Sequence, residues 1–279
     1  ETIKIKDAED LLELAENCKL DSWSRGKTVV LQADIFLEEE FLPIPTFGGT
    51  FDGKGHSIHG LKVESGVSPA GLFGVLQEEA VIKNINVTGN VEPVGINNAV
   101  GGIVGENYGE IINSTFTGTV KGKTHTGGIV GINGTSATLR NCRVSGTVLG
   151  ETMTGGICGY NQGSIIKCKN DACVNNINID PAISLEDLNL DISMDLSKIN
   201  SMNVLGAAAD TGGIAGYSTG VLEGCTNTGI IGYAHIGYNL GGIAGRSCGF
   251  VTDCENLGAV YGRKDVGGIV GQTGDITIE

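Results

Sequence analysis

Hydrophobic residues along this chain fall in short segments that are broken by glycine, asparagine, serine and threonine. Residues 28–35 and 84–91 are typical, because isoleucine and valine alternate there with polar or small residues. Short β-branched segments between turn-forming residues predict β-strands rather than helices. Almost no run of the chain has the 3.6-residue periodicity of a helix. The pattern therefore predicts a protein built mainly from short strands.

One segment near the start departs from this pattern and predicts an amphipathic helix. Residues 7–18 carry acidic side chains in the first turn and apolar side chains at helical spacing. We expect this helix to cover the N-terminal end of the strands that follow. The residues predicted to share its buried face are Ala8, Leu11, Leu12, Ala15 and Cys18.

A five-residue block, Gly-Gly-Ile-small-Gly, returns at a regular interval along the chain. Its copies begin at 101, 127, 155, 212, 241 and 267, and a degenerate seventh copy begins at Ala70. The spacings from 101 onward are 26, 28, 57, 29 and 26 residues, and the longest equals two periods. Such a period in a strand-forming chain predicts a solenoid.

Further aligned positions extend the repeat beyond this block. Thirteen residues after the first glycine lies a position for small or apolar residues, and a glycine and a β-branched residue follow it. If each unit forms one coil of three short strands, equivalent residues stack inward. The prediction is an all-β fold, a right-handed parallel β-helix with a short N-terminal capping helix. The isoleucines expected to stack are Ile103, Ile129, Ile157, Ile214, Ile243 and Ile269.

Composition narrows the function classes. The net charge of −14 argues against nucleic acid as a partner, because phosphates require a basic surface. No apolar run is long enough to span a bilayer, so no transmembrane segment is expected. The eight cysteines do not form a Cys-x-x-Cys zinc motif, and no metal site or cofactor is predicted.

Four of the eight cysteines share the small or apolar position of the repeat, which bears on whether they are free or bonded. One interpretation is that they are buried free thiols that act as small hydrophobic residues. The alternative is disulfide bonding or metal binding, with Cys168 and Cys173 as the best candidate bridge. The residues at this position are Ser114, Cys142, Cys168, Cys225 and Cys254.

We expect two regions. Residues 1–27 would form an N-terminal strand and the capping helix, and residues 28–279 the β-helix of 26–29-residue coils. An insertion at about 175–210 fills the double-length interval. It is either a lid packed on the side of the coils or part of a binding face, since insertions in solenoids tend to lie there.

The repeated unit resembles the GLUG-motif repeats of bacterial cell-surface proteins. The resemblance is carried by Gly-Gly-Ile-Val-Gly, by the later Asn-Cys and Gly-x-Val positions, and by the segment 49–61. It covers roughly residues 3–174 and 206–271. Adhesin-like chains and the β-helix regions beside IgA1-cleaving metalloproteases carry such repeats. The resemblance implies that this chain is an extracellular, cell-surface or cell-wall module and a fragment of a larger secreted protein. It implies no particular catalytic residue.

Catalytic motifs are not found in the sequence. His56 and His59 lack the glutamate and the helical context of a zinc protease, and we expect turn or surface roles for both. Asp52 fits an Asx-turn. A β-helix enzyme that hydrolyses or lyses polysaccharides is the alternative hypothesis, because paired carboxylates on one side of the coil would suffice. Acidic residues, however, do not recur at one position of the repeat.

Aromatic side chains give the candidate ligand-binding residues. Tyr160 and Tyr217 occupy the same repeat position and are expected on adjacent coils, where the rings either pack on each other or bind a sugar or protein. Tyr233, His235 and Tyr238 cluster in one loop as a second patch. The function predicted is a non-enzymatic stalk, scaffold or adhesin segment. Its expected partners are a host or matrix protein, a glycan, or adjoining domains of the parent chain.

Overall fold

The computed structural model describes residues 1–177 and 208–274, and the predicted insertion lies largely outside the described residues. The described chain is nearly all β, and its strands stack in parallel to form a solenoid of about nine coils. The predicted fold class, a parallel β-helix with one short N-terminal helix, is confirmed. Each coil hydrogen-bonds to the next, so four parallel sheets run along the solenoid, and we name them S1 to S4.

Sheet S1 contains the first strand of the chain and has nine strands. They are β1 (Thr2–Ile5), β2 (Thr28–Leu31), β5 (Thr50–Asp52), β8 (Val81–Lys83), β12 (Glu110–Ile112), β16 (Thr138–Arg140), β20 (Ser164–Ile166), β25 (Val221–Glu223) and β29 (Phe250–Thr252). Sheet S2 follows S1 around each coil. Its strands are β3 (Ile35–Phe36), β6 (Ser57–Val63), β9 (Asn86–Val91), β13 (Thr115–Lys121), β17 (Arg143–Leu149), β21 (Lys169–Asn170), β22 (Cys173–Val174), β26 (Thr226–Asn227) and β30 (Glu255–Asn256).

Sheets S3 and S4 meet at the repeated glycine block. The strands of S3 are β4 (Ile44–Phe47), β7 (Phe73–Leu76), β11 (Val104–Asn107), β15 (Val130–Asn133), β19 (Cys158–Asn161), β24 (Ala215–Ser218), β28 (Ala244–Ser247) and β32 (Val270–Thr273). The strands of S4 are β10 (Val100–Gly101), β14 (Thr124–Gly127), β18 (Thr152–Gly155), β23 (Ala209–Gly212), β27 (Tyr238–Gly241) and β31 (Lys264–Gly267).

A complete coil therefore has four strands, and the expectation of three strands per coil was wrong. In the coil of residues 124–149, β14 and β15 are separate strands that belong to S4 and S3. The turn between them is Gly128-Ile129, in the middle of the repeated block. Gly128 lies so close to the next coil that an added Cβ would be 2.3 Å from the Gly156 carbonyl oxygen. The glycine is required by this contact between backbones.

The isoleucine of each block points into the core. Ile103, Ile129, Ile157, Ile214 and Ile243 have no exposed surface, and the Ile103 amide donates to the Ile129 carbonyl of the next coil at 3.0 Å. Ile269 lies in the last described coil and is 41% exposed. The predicted isoleucine stack is therefore continuous through five coils, and only its sixth member is half exposed.

Helix α1 (Ala8–Asn17) covers the N-terminal coil. It begins after Asp7, whose side chain accepts a hydrogen bond from the Asp10 amide at 2.9 Å, and it contacts β1 and β4. Both strands are the first members of their sheets, so the helix closes the edge that they leave unpaired. Strand β1 itself pairs with β2, and residues 2–5 therefore form the first strand of S1.

The buried face of α1 differs from the expected one. Leu11, Leu14 and Cys18 are buried in the core, but Leu12 is 54% exposed. Residues 11, 14 and 18 form one stripe of the helix, whereas Leu12 is displaced by about 100° around its axis. The prediction that Leu12 would be buried was therefore wrong.

Candidate functional site

Tyr160 and Tyr217 are adjacent, as their common repeat position predicted. Strands β19 and β24 pair in register, with Tyr160 beside Tyr217. The ring centroids are 5.2 Å apart and the ring planes are inclined by 46°. Tyr160 is partly exposed, whereas Tyr217 is 8% exposed. The two rings therefore form one packed pair, and Tyr160 supplies most of its accessible surface.

A histidine extends this pair by one coil. The His125 ring lies 5.7 Å from the Tyr160 ring, and its Nδ1 is 2.7 Å from the Asn98 carbonyl oxygen. His125 belongs to β14 in S4, whereas Tyr160 belongs to S3, so the contact crosses the edge between two sheets. We call His125, Tyr160 and Tyr217 the ring stack. The repeat position of His125 is not the tyrosine position, which is why the sequence did not reveal this contact.

The opposite end of the ring stack meets a charged pair. The Arg246 guanidinium lies 3.9 Å from the Tyr217 ring centroid, a cation–π contact. Its Nη2 is also 3.1 Å from Asp210 Oδ2. The Asp210 carboxylate accepts a second hydrogen bond, from Asn239 Nδ2 at 2.9 Å. Polar and aromatic side chains from successive coils thus form one network, which runs from Tyr217 through Arg246 and Asp210 to Asn239.

The second predicted patch lies beside this network. Tyr233 and Tyr238 are 37% and 44% exposed, and His235 is also exposed, with a left-handed φ of 65°. Tyr238 starts β27 and immediately precedes Asn239, the residue that donates to Asp210. The chain Asn239–Asp210–Arg246–Tyr217 therefore connects the two groups of candidates. Sequence reasoning missed Asp210 and Arg246, which carry the connection.

Left-handed residues mark the S4 position that contains Asp210. His125, Met153, Asp210, Asn239 and Asp265 all have φ between 54° and 57°. Because residues with short polar side chains adopt this conformation most readily after glycine, three of the five are Asp or Asn. The conformation is repeated from coil to coil, and it places His125 and Asp210 at the same corner of the solenoid.

The cysteine position of the repeat is inward, as expected. Ser114, Cys142, Cys168 and Cys225 are buried, and Cys254 in the last described coil is half-buried. The Cys142 amide is 3.4 Å from Cys168 Sγ of the next coil, which shows direct stacking. Burial raises the pKa of the Cys158 and Cys168 thiols. All eight cysteines are among the described residues and are free thiols in this structure.

Cys254 differs from the other thiols of this position. A hydrogen bond from the Cys225 thiol stabilises the Cys254 thiolate, so the pKa of Cys254 lies below its ordinary value and that of Cys225 above it. More thiolate is then present at neutral pH, and thiolate is the reactive form.

We expect iodoacetamide at pH 7 to label Cys254 before Cys142, Cys158 and Cys168, as measured by peptide mass spectrometry. Replacement Cys225→Ala removes the hydrogen bond, raises the pKa of Cys254 and slows its labelling at pH 7. The difference should shrink as the pH is raised and Cys254 becomes ionised in both proteins. Cys142→Ala is the control. Equal slowing by both replacements would contradict this account, and full denaturation should expose all eight thiols.

The remaining sequence candidates have local partners. His56 Nδ1 is 3.3 Å from Asp34 Oδ1, and His59 Nδ1 is 3.1 Å from Thr88 Oγ1. Asp52 Oδ1 accepts a hydrogen bond from the Lys54 amide at 2.8 Å, the Asx-turn contact expected for it. Within the described residues, no group of three or more His, Cys, Asp or Glu side chains is arranged to hold a metal ion. No helix in the described part of the chain is long and apolar enough to cross a membrane.

Comparison with known proteins defines the class of repeat. The GLUG motif matches residues 96–121 and 122–149. Each match spans one coil from its S4 strand to the end of its S2 strand, so the motif and the structural repeat coincide. The predicted resemblance to GLUG-motif repeats is confirmed.

A partial relative is known among curated proteins. The chain is 44% identical over 86 residues to a protein named halomucin from Haloquadratum walsbyi (strain DSM 16790 / HBSQ001). The aligned stretch covers 30% of this chain and 1% of halomucin. No solved structure matches the chain.

Proposed function

We propose that this chain is a non-enzymatic β-helix module of a cell-surface or secreted protein, where it serves as an elongated scaffold or adhesin segment. The observation that carries the proposal is the continuous register of S1 through nine strands. At about 4.8 Å per coil, nine coils extend roughly 40 Å along the axis. Such a solenoid holds whatever is attached to it at a fixed distance and orientation.

Three further features support a location outside the cell. The repeats of this chain resemble the GLUG-motif repeats of cell-surface proteins. Two of its coils match the GLUG motif, and part of the sequence is similar to halomucin. The net charge of −14 also keeps an exposed module soluble. Halomucin is far longer than the aligned stretch, and an adhesin or stalk role in the parent chain is our proposal.

The binding surface we propose is the ring stack together with Tyr233, His235 and Tyr238. Partly exposed rings beside carboxylate, amide and guanidinium groups are suited to a glycan, because sugar rings offer both an apolar face and hydroxyl groups. A host or matrix protein that presents such groups is the second class of ligand. Tyr233 and Tyr238 are exposed, and Tyr160 is partly exposed.

The test is a binding screen with plant, cell-wall and host glycans and matrix proteins, followed by titration of any hit. We expect Tyr160→Ala to weaken saturable binding about tenfold, because it removes the partly exposed ring at the middle of the stack. Tyr108→Ala is the matched control, since Tyr108 is 41% exposed and lies between S3 and S1, two coils away from Tyr160. Equal effects of the two replacements would contradict the proposed surface.

The same samples test the enzymatic alternative. We expect no release of reducing ends from the glycans and no cleavage of IgA. Turnover that a single replacement such as Glu110→Gln abolishes would overturn the scaffold proposal, because Glu110 lines a groove with Glu78 and Glu79.

A further inference from the structure

A groove lies at the N-terminal end of the solenoid, between α1 and the chain that follows β3. Its volume is about 390 Å³, and it is lined by Ala8 and Leu12 of the helix and by residues 36–41. Phe41 is 1% exposed and forms part of the buried core. The groove is remote in sequence from the ring stack and from the tyrosine loop. We call it the N-terminal groove.

Two large apolar side chains are exposed in the N-terminal groove. Leu12 is 54% exposed and Phe36 is 64% exposed, although they come from different elements. Phe36 is held in place, because β3 pairs with β6 and the Phe36 ring stacks on His59 at 5.0 Å. Single exposed apolar residues are ordinary on protein surfaces. Two that share one concave site with Leu37 form a preformed apolar surface that a partner can cover.

The rim of the groove is acidic on both sides. On the helix, Glu9 and Glu16 lie three and four residues from Leu12 and therefore flank it. On the other side, Glu38, Glu39 and Glu40 follow one another along the lining segment. Hydrogen bonds from Ser65 lower the pKa of Glu40, so its carboxylate is charged at neutral pH.

Little of this charge is neutralised within the described residues. Lys19 pairs with Glu16 at 2.7 Å and the charge of Lys62 acts on Glu40, but no described cation lies within salt-bridge distance of Glu38 or Glu39. The rim thus carries negative charge beside exposed apolar surface. A second copy of this chain, at net charge −14, would bring like charge to it. An anionic lipid surface is disfavoured for the same reason.

We infer that the N-terminal groove is a docking site for a cationic amphipathic polypeptide segment, one with lysine or arginine beside large apolar side chains. The apolar side chains of the segment would cover Leu12 and Phe36, and its cations would face Glu38 and Glu39. Charge on the rim speeds and orients association, whereas the apolar contact supplies the central part of the binding energy. This site is independent of the proposed glycan-binding surface, and the two fail or succeed separately.

The probe is a fluorescent 14-residue peptide of leucine and lysine with helical spacing, titrated with residues 1–279 and followed by anisotropy. We expect saturable binding with one peptide per chain. Leu12→Ser and Phe36→Ser should each raise Kd about tenfold, a typical effect for an apolar contact at the centre of an interface. Circular dichroism and thermal unfolding of each variant check that the fold is retained.

Matched controls separate docking from general charge attraction. Leu20→Ser and Phe250→Ser replace side chains that are 61% and 74% exposed outside the groove, and both should leave Kd unchanged. The double replacement of Glu38 and Glu39 by glutamine should weaken binding about tenfold, whereas the same change at Glu78 and Glu79, in a different groove, should not.

Three results would overturn the inference. They are the absence of saturable binding, equal effects of groove and control variants, and unchanged affinity for a peptide in which serine replaces leucine. The second would show that the peptide does not bind in the groove, and the third that it responds only to charge. Loss of binding in Leu12→Ser and Phe36→Ser, with all controls intact, supports the site.

Discussion

Gly128→Ala is expected to destabilise the protein by about 3 kcal/mol, as large as the cost of severe overpacking in a core. An alanine Cβ would lie 2.3 Å from the Gly156 carbonyl oxygen and 2.4 Å from Val144 Cγ1. Neither neighbour can move freely, because the Gly128 amide donates to that same carbonyl at 3.0 Å and Val144 is buried. The spacing between two coils would have to increase.

The measurement is urea unfolding followed by circular dichroism, together with thermal unfolding. A loss of about 3 kcal/mol corresponds to a fall in Tm of roughly 6–12 °C for a chain of this size. Gly268→Ala provides a matched control, because Gly268 occupies the same position of the repeat and nothing lies within 4 Å of its added Cβ. That replacement should change stability by less than about 0.5 kcal/mol. Similar losses at the two glycines would contradict the contact between coils as the cause.

Asn133→Ala is expected to cost about 3 kcal/mol for a different reason. The Asn133 side chain is fully buried and connects three coils. Its Nδ2 donates to Asn161 Oδ1 at 3.0 Å, and its Oδ1 accepts from Asn107 Nδ2 at 2.9 Å. Removal of the amide leaves buried polar groups on both neighbours with fewer partners, and each unsatisfied group costs about 1–3 kcal/mol.

Asn90→Ala is the control for this prediction. Asn90 lies on β9, its side chain is exposed, and its replacement should leave stability within about 0.5 kcal/mol of the starting protein. Chemical denaturation of the two variants under the same conditions gives the comparison. If Asn133→Ala unfolds at the same urea concentration as Asn90→Ala, the buried asparagines do not contribute as stated.

A second series of buried asparagines, in S2, forms another network and changes the composition of the core along the solenoid. At one inward position of S2, Val87, Phe116 and Val144 are replaced in later coils by Asn170 and Asn227. Asn170 Nδ2 donates to Asn227 Oδ1 at 2.9 Å and to the Ala172 carbonyl at 2.9 Å, so the amide satisfies backbone groups where the strand is interrupted. Periodic asparagine in the sequence was the available signal for both networks, and hydrophobic periodicity alone missed it.

Some features followed from the sequence because the repeat is regular. Stacking in register places equivalent residues above one another, so the block that contains Ile129 and the position of Cys168 predicted inward columns without knowledge of the coil shape. The adjacency of Tyr160 and Tyr217 followed for the same reason. The number of strands per coil did not, because a Gly-Gly-Ile segment is compatible with a continuous strand as well as with a turn.

Contacts between different positions of the repeat were decided only by the tertiary structure. The sequence determined a solenoid of stacked coils, its inward residues and its N-terminal helix, since these depend on periodicity and local preference. His125 meets Tyr160, and Asp210 meets Arg246, because S3 and S4 join at a corner whose angle no periodicity encodes. Likewise, Leu11 and Leu12 are equally apolar neighbours on α1, and only the rotation of the helix against β1 and β4 buried the first and left the second in the N-terminal groove.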